Sequence, residues 1–169
     1  MNNKHISVFT HSLHQLLQII CKIDLAVEGN EDILFKRLAE DMLPLIVQAE
    51  IAASFALRAC CPIAGVKTST FVKQEKNFQG IKLQLAQTIE YIESLDNSKN
   101  DFSVTILDRA GPIPVELKAD DFLLEFAYPN FYFHISIVYA IARANNVPLT
   151  KGDFDGKHQY PEGFSFEAQ

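Results

Sequence analysis

The most informative segment of this chain is Pro44–Cys60, PLIVQAEIAASFALRAC. Its apolar residues surround the helix axis and alanine recurs along its length, a pattern typical of a helix that is packed closely on several sides. Asp41 is a good N-cap, and Pro44 suits the first turn, where its missing N–H costs nothing. We therefore expect a central helix from about Asp41 to Cys60.

Two amphipathic patterns predict neighbours for this helix. Between about Asn3 and Ala26, apolar residues recur at steps of three and four, which places them on one helical stripe. A second such stripe runs from Phe78 to Leu95. Breaks at Gly29 and at Pro62 separate these segments from the central helix.

The part of the chain after residue 95 predicts a hairpin and then a fourth helix. Two β-like stretches, SVTIL (103–107) and PVEL (114–117), flank a turn at 109–112. Asp120 or Asp121 can cap a short helical turn through FLLEF, after which Pro129 opens PNFYFHISIVYAIARANN (129–146). The remaining residues, 147–169, show no periodicity and predict an irregular tail.

These elements together indicate the fold class. Short connections between helices favour antiparallel neighbours in a bundle, and 169 residues suit one domain with one core. We expect a mainly all-α four-helix bundle, residues 1–169, with a small hairpin-like insert between helices three and four.

Charge and composition limit the classes of partner. The net charge of −6 and the absence of a long basic run repel a phosphate backbone, so we expect no nucleic acid partner. Apolar stretches are interrupted by Glu50 and Arg58 short of the ~20 residues that cross a bilayer, which predicts no membrane partner. The N-terminal residues lack the continuous apolar run of a signal peptide, so we expect a cytoplasmic protein.

Self-association is the partner interaction that the pattern favours. The second and fourth helices carry more apolar surface than three neighbours could cover. The patch that remains would suit a two-fold symmetric contact, and we expect a homodimer.

The sequence contains none of the common motifs of enzymes or metal sites. CxxC, HExxH, GxSxG, a glycine-rich phosphate loop and an EF-hand loop are all absent. His5, His11 and His14 lie within one helix but point in different directions, which argues against a shared metal. These motifs therefore do not indicate a function for the chain.

Three blocks of sequence carry a resemblance to a known family. They are RLAEDMLPL (37–45), PNFYFHISIVYAIARANNVPL (129–149) and KGDF (151–154). They resemble a bacterial family catalogued as a domain of unknown function and grouped with the DinB/YfiT-like bundles, which are regarded as metalloenzymes. The order of three helices, a hairpin-like insert and an aromatic fourth helix is similar to those bundles over nearly the whole chain.

The resemblance implies a metal site that this sequence does not complete. In the metal-binding relatives, a histidine of the second helix and a His-x-x-x-His pair of the last helix hold one divalent cation, since residues i and i+4 share a helix face. His134 matches the first of that pair, but the second position is Val138, and no histidine occurs between Asp41 and Cys61. We therefore expect no metal and no other cofactor.

The candidate site is a pocket around His134. Asn130 lies one turn before it, and Gln48 or Glu50 of the second helix could supply a polar partner, although we expect both of these to lie at an exposed helix edge. One hypothesis is a binding or structural module in which His134 is a core histidine. The alternative is a divergent hydrolase or transferase that uses His134 as an acid or base on a small-molecule ligand, with or without a metal shared with Glu50.

Overall fold

The computed structural model describes residues 3–109 and 113–161, and it confirms a mainly helical bundle with one small hairpin. The order of the main helices and of the hairpin along the chain is the predicted one. In chain order the elements are α1 (Lys4–Ala26), a 3-10 helix (Glu31–Phe35), α2 (Leu45–Ile63), α3 (Phe78–Glu93), a 3-10 turn (Asn97–Lys99), β1 (Thr105–Asp108), β2 (Val115–Lys118), α4 (Ala119–Asp121), a π-helical segment (Phe122–Ala127), α5 (Tyr128–Ala144) and α6 (Lys151–Asp155).

The centre of the bundle is α2, which packs against α5, α3 and α1. No residue of α2 is exposed, because its alanines let neighbouring helices approach closely from several sides. By length and composition α2 could cross a membrane, but 72% of its most apolar window is buried inside the fold. Its apolar surface is thus used within a single chain.

The ends of α2 differ from the predicted ones. The helix begins at Leu45 with Pro44 as the N-cap, and Asp41 lies before it in a turn. The reason is that a residue that precedes proline is disfavoured in helical conformation, so Leu43 stays outside. At the other end the helix continues to Ile63, with Pro62 in its last turn.

The amphipathic stripes of α1 and α3 face the core, as predicted. Leu13, Leu16 and Ile20 of α1 are fully buried, as is Leu85 of α3. The first turn of α3 is fixed by Asn77, whose side chain accepts a hydrogen bond from the N–H of Gly80 at 2.7 Å. These two helices pack against each other and against α2.

The predicted hairpin is confirmed. Strands β1 and β2 pair antiparallel, with Thr105 opposite Lys118 and Asp108 opposite Val115. Residues 110–112 of the predicted turn lie outside the described residues.

The segment before α5 also differs from the predicted one, both at the cap and at the start of the helix. Asp120 and Asp121 lie within the first helical turn and do not cap it, and the chain remains helical across Pro129. Proline has no N–H for the carbonyl of Glu125 four residues earlier and its ring would clash with that carbonyl, so the helix widens into a π turn just before it.

The predicted irregular tail contains a further helix. Thr150 and Asp153 form a capping box that starts α6. The segment then docks on α1, where Lys22 pairs with Asp153 and His11 Nε2 donates a hydrogen bond to the carbonyl of Asp155 at 2.8 Å. A five-residue helix held by one capping box is too short to show periodicity in sequence, and residues 162–169 of the tail lie outside the described residues.

Candidate functional site

The predicted site residues His134 and Gln48 meet at the seam between α5 and α2. His134 Nδ1 lies 2.6 Å from Gln48 Oε1. The amide of Gln48 is oriented by its other end, since Nε2 donates a hydrogen bond to the carbonyl of Leu43 at 3.1 Å. Gln48 Oε1 can only accept, so Nδ1 of His134 must carry the proton.

This tautomer leaves the second ring nitrogen of His134 with a lone pair. Among the described residues no hydrogen-bond donor reaches Nε2, and the side chain is half-buried rather than sealed. A neutral histidine held in this way presents a hydrogen-bond acceptor whose direction is fixed by Gln48 and by the backbone of residue 43.

The surroundings of His134 are aromatic and cationic. Its ring stacks on Phe55 with centroids 5.8 Å apart, and Phe133 meets it edge-on at 5.3 Å. The guanidinium of Arg58 lies over the ring of Phe55, 4.1 Å from its centroid. Burial, and then the charge of Arg58, lower the pKa of His134 from 6.5 to about 4. The imidazole is therefore neutral at physiological pH.

Asn130 shares the face of His134 but does not bond to it. It lies one turn earlier and is half-buried. Its Nδ2 donates a hydrogen bond to the carbonyl of Phe126 at 2.8 Å, at the junction between the π segment and α5. The π turn thus uses Asn130 to satisfy a backbone carbonyl.

The structure does not bring Glu50 to His134. Glu50 forms an ion pair with Lys76 in the segment before α3. Two residues apart on a helix correspond to about 200° of rotation, so Gln48 and Glu50 face different neighbours. The expectation that both residues lie at an exposed edge was wrong, because α2 is enclosed on all sides and Gln48 and Glu50 are 2% and 9% exposed.

The position four residues after His134 is part of the core. Val138 is fully buried. Within residues 3–109 and 113–161, no group of three or more His, Cys, Asp or Glu side chains is arranged to hold a metal ion. The i, i+4 pair that shares the half-buried face with Gln48 is therefore Asn130 with His134.

Sequence reasoning missed Arg58 and Phe55 as parts of this site. Arg58 was visible as one of two charges in an otherwise apolar helix, which is a signal for a buried polar contact. Phe55 gave no signal, since any phenylalanine in such a helix fits a core position. His134 does not line the groove that lies between α1 and α3.

Comparisons with known proteins agree with the resemblance seen in the sequence. Residues 1–155 match the model of a family described as a domain of unknown function, DUF1993. The chain is similar to the crystal structure of a DinB family member protein from Shewanella denitrificans, with 27% sequence identity, a TM-score of 0.80 and coverage of 92% of each chain. No curated protein sequence matches it significantly.

Proposed function

Because this chain belongs to the DUF1993 family and has the fold of a DinB family member protein, we propose that it is a binding or structural module that forms homo-oligomers and has lost the three-histidine metal site of related bundles. The observation that carries the proposal is that Gln48, and no histidine, faces His134 from α2, while Val138, at the position of the second histidine of the motif, is fully buried in the core.

The residues around His134 do not fit a divalent cation. The amide nitrogens of Gln48 and Asn130 are committed to backbone carbonyls, and their oxygens are weak ligands compared with the imidazoles of a zinc site. The positive charge of Arg58, which helps to lower the pKa of His134, would also repel a cation there. The polar side chains of the seam are instead bonded to one another through Gln48 and His134 and to the carbonyls of Leu43 and Phe126.

The alternative function, a divergent enzyme, is favoured by one observation, the lone pair on Nε2 of His134. A general base works best when its pKa is near the operating pH. With a pKa of about 4, His134 would be a poor acceptor of protons, although it still accepts a hydrogen bond. A role of His134 in binding or packing is therefore favoured over a role as a general base.

Metal analysis of the purified protein tests the loss of the metal site. We expect no stoichiometric zinc, nickel or iron, and no rise in melting temperature when zinc is added. The double variant Gln48→His with Asn130→His is the matched positive control, because it puts two more imidazoles on the face of His134. That variant should be stabilised by zinc.

A metal that copurifies with the wild type at one ion per chain, and is lost in His134→Ala, would contradict the proposal. If neither the wild type nor the double variant responds to zinc, the result for the wild type stands, but positions 48, 130 and 134 would not be the ligand positions.

The oligomeric part of the proposal rests on exposed apolar side chains of α5 and of the π segment that precedes it. Phe133 on α5 is 51% exposed and Leu124 in the π segment is 68% exposed. Sedimentation at micromolar concentration should give about twice the chain mass of 19.0 kDa. Phe133→Glu should return the protein to a monomer without unfolding it, whereas Leu25→Glu, at an exposed apolar position on α1, is the matched control. A monomeric wild type would end this part of the proposal.

A further inference from the structure

A second candidate site is a groove between α1 and α3, and His134 is not among the residues that line it. Its volume is about 720 Å³, within the ~300–1,000 Å³ of small-molecule sites. Apolar side chains form its walls, and a few polar groups stand at its margin. The residues that line it are Leu17, Cys21, Asp24, Gly29, Glu31, Phe78, Gln79, Lys82, Leu83 and Ala86.

The groove has an excess of negative charge. Its one lining ammonium, Lys82, is paired with Asp24 and lies 5.8 Å from the centre of the Phe78 ring. Glu31 is the second carboxylate, and no described cation pairs with it. A cationic group that entered the groove could pair with Glu31. An anion would have no unpaired lining cation, because Lys82 is already paired with Asp24.

The position of Glu31 is set by the turn that follows α1. Glu28 and Gly29 both have left-handed backbone conformations, with φ of 52° and 80°. The N–H of Gly29 bonds to the carbonyl of Asp24 at 3.0 Å, and Asn30 then caps the 3-10 helix that begins at Glu31. The carboxylate therefore stands on backbone that is already ordered.

We propose that this groove binds a small molecule with an apolar body and a protonated amine. The body would lie on Leu17, Phe78 and Leu83, whose side chain is 47% exposed. The ammonium would pair with Glu31. A volume of this size suits a small molecule rather than a helix of a partner protein, which would need a longer trough. The proposal does not depend on the seam at His134.

Titration of the isotope-labelled protein with phenylbutylamine, phenylbutanol and phenylbutyrate tests it, since the three probes differ mainly in the charge of the head group. We expect amide shifts to be confined to the two sides of the groove, with the amine binding most tightly and the carboxylate least. Glu31→Gln should lower the affinity for the amine by about fivefold, which corresponds to the loss of one exposed ion pair. The affinity for the alcohol should not change.

Two arginine variants complete the test. Leu83→Arg puts a long cation into the groove and should abolish binding of the amine, whereas Ile113→Arg, at an exposed apolar position outside the groove, should not. Equal binding of amine and alcohol, or no effect of Glu31→Gln, would overturn the proposal. So would a wild-type oligomer that Leu83→Arg alone converts to a monomer, because the groove would then be covered by a second copy of the chain.

Discussion

Arg58 of α2 and Asp108 of β1 form a two-point ion pair that ties the hairpin to the central helix. Nε and Nη2 of the guanidinium each donate to one oxygen of the carboxylate. Asp108 is only 8% exposed, and the face of the guanidinium rests on Phe55. The hairpin therefore contributes directly to the surroundings of His134.

Asp108→Asn should lower the free energy of unfolding by about 2–3 kcal/mol, because it leaves a partly buried guanidinium without its counter-charge. Chemical denaturation measures the loss. Asp96→Asn removes a carboxylate from the exposed pair with Lys99 and should cause no measurable loss. Equal effects of the two changes would show that the hairpin contact is unimportant.

The stability of the protein should fall as the pH drops from about 6.5 towards 4. In this window a histidine in the unfolded chain takes up a proton, whereas the lowered pKa of about 4 keeps His134 neutral in the fold. Since the unfolded state binds more protons there, acid favours unfolding, by about 1–3 kcal/mol for this residue. Urea unfolding at both pH values should show a smaller difference in His134→Gln. An unchanged difference in that variant would assign the effect to other groups.

Gln48→Glu should raise the pKa of His134. A carboxylate in place of the amide would face the Nδ1 proton and favour the charged ring. NMR titration of the His134 ring protons measures the midpoint directly. Gln48→Leu is the companion change, which removes the hydrogen bond without adding charge and should cost about 1–2 kcal/mol of stability. A midpoint that stays near 4 in Gln48→Glu would mean that the two side chains do not meet in solution.

Gly152→Ala should detach α6 from α1. A Cβ at this position would lie 2.1 Å from the carbonyl oxygen of His158, so the backbone after α6 must move. We expect shifted amide resonances around His11 and Lys22, both of which contact the segment. Lys151→Ala, at an exposed position of the same helix, should leave those resonances in place. Their persistence in Gly152→Ala would contradict the docked arrangement.

The helical core was predictable because the spacing of apolar residues along the sequence shows which face of each helix is buried. The stripe of α1 and the all-round apolar surface of α2 identified both helices and the central place of the second. The boundary errors came from proline. Pro44 delayed the start of α2, and Pro129 widened a helix that it was expected to open. In both cases the outcome depends on how neighbouring carbonyls are satisfied, which the local pattern does not encode.

The site was less predictable, because its contacts join residues far apart in sequence. A polar partner for His134 was expected on the second helix, but Gln48 and Glu50 could not be told apart until their faces were known. The partner of Glu50, Lys76, lies in a connection without periodicity. The fixed tautomer of His134 depends on the carbonyl of Leu43, and no backbone atom of a turn can be placed from sequence.

The π turn at Phe122–Ala127 also sets the direction in which β2 lies around the axis of α5. Each residue of an α-helix advances the chain by about 100°. Loss of one residue from this segment would let it rewind as ordinary α-helix and swing β2 around the axis of α5. Asp108 would then be carried away from Arg58. Insertions and deletions at this point should consequently be far less tolerated than in the loop before α3, whose length sets no such direction.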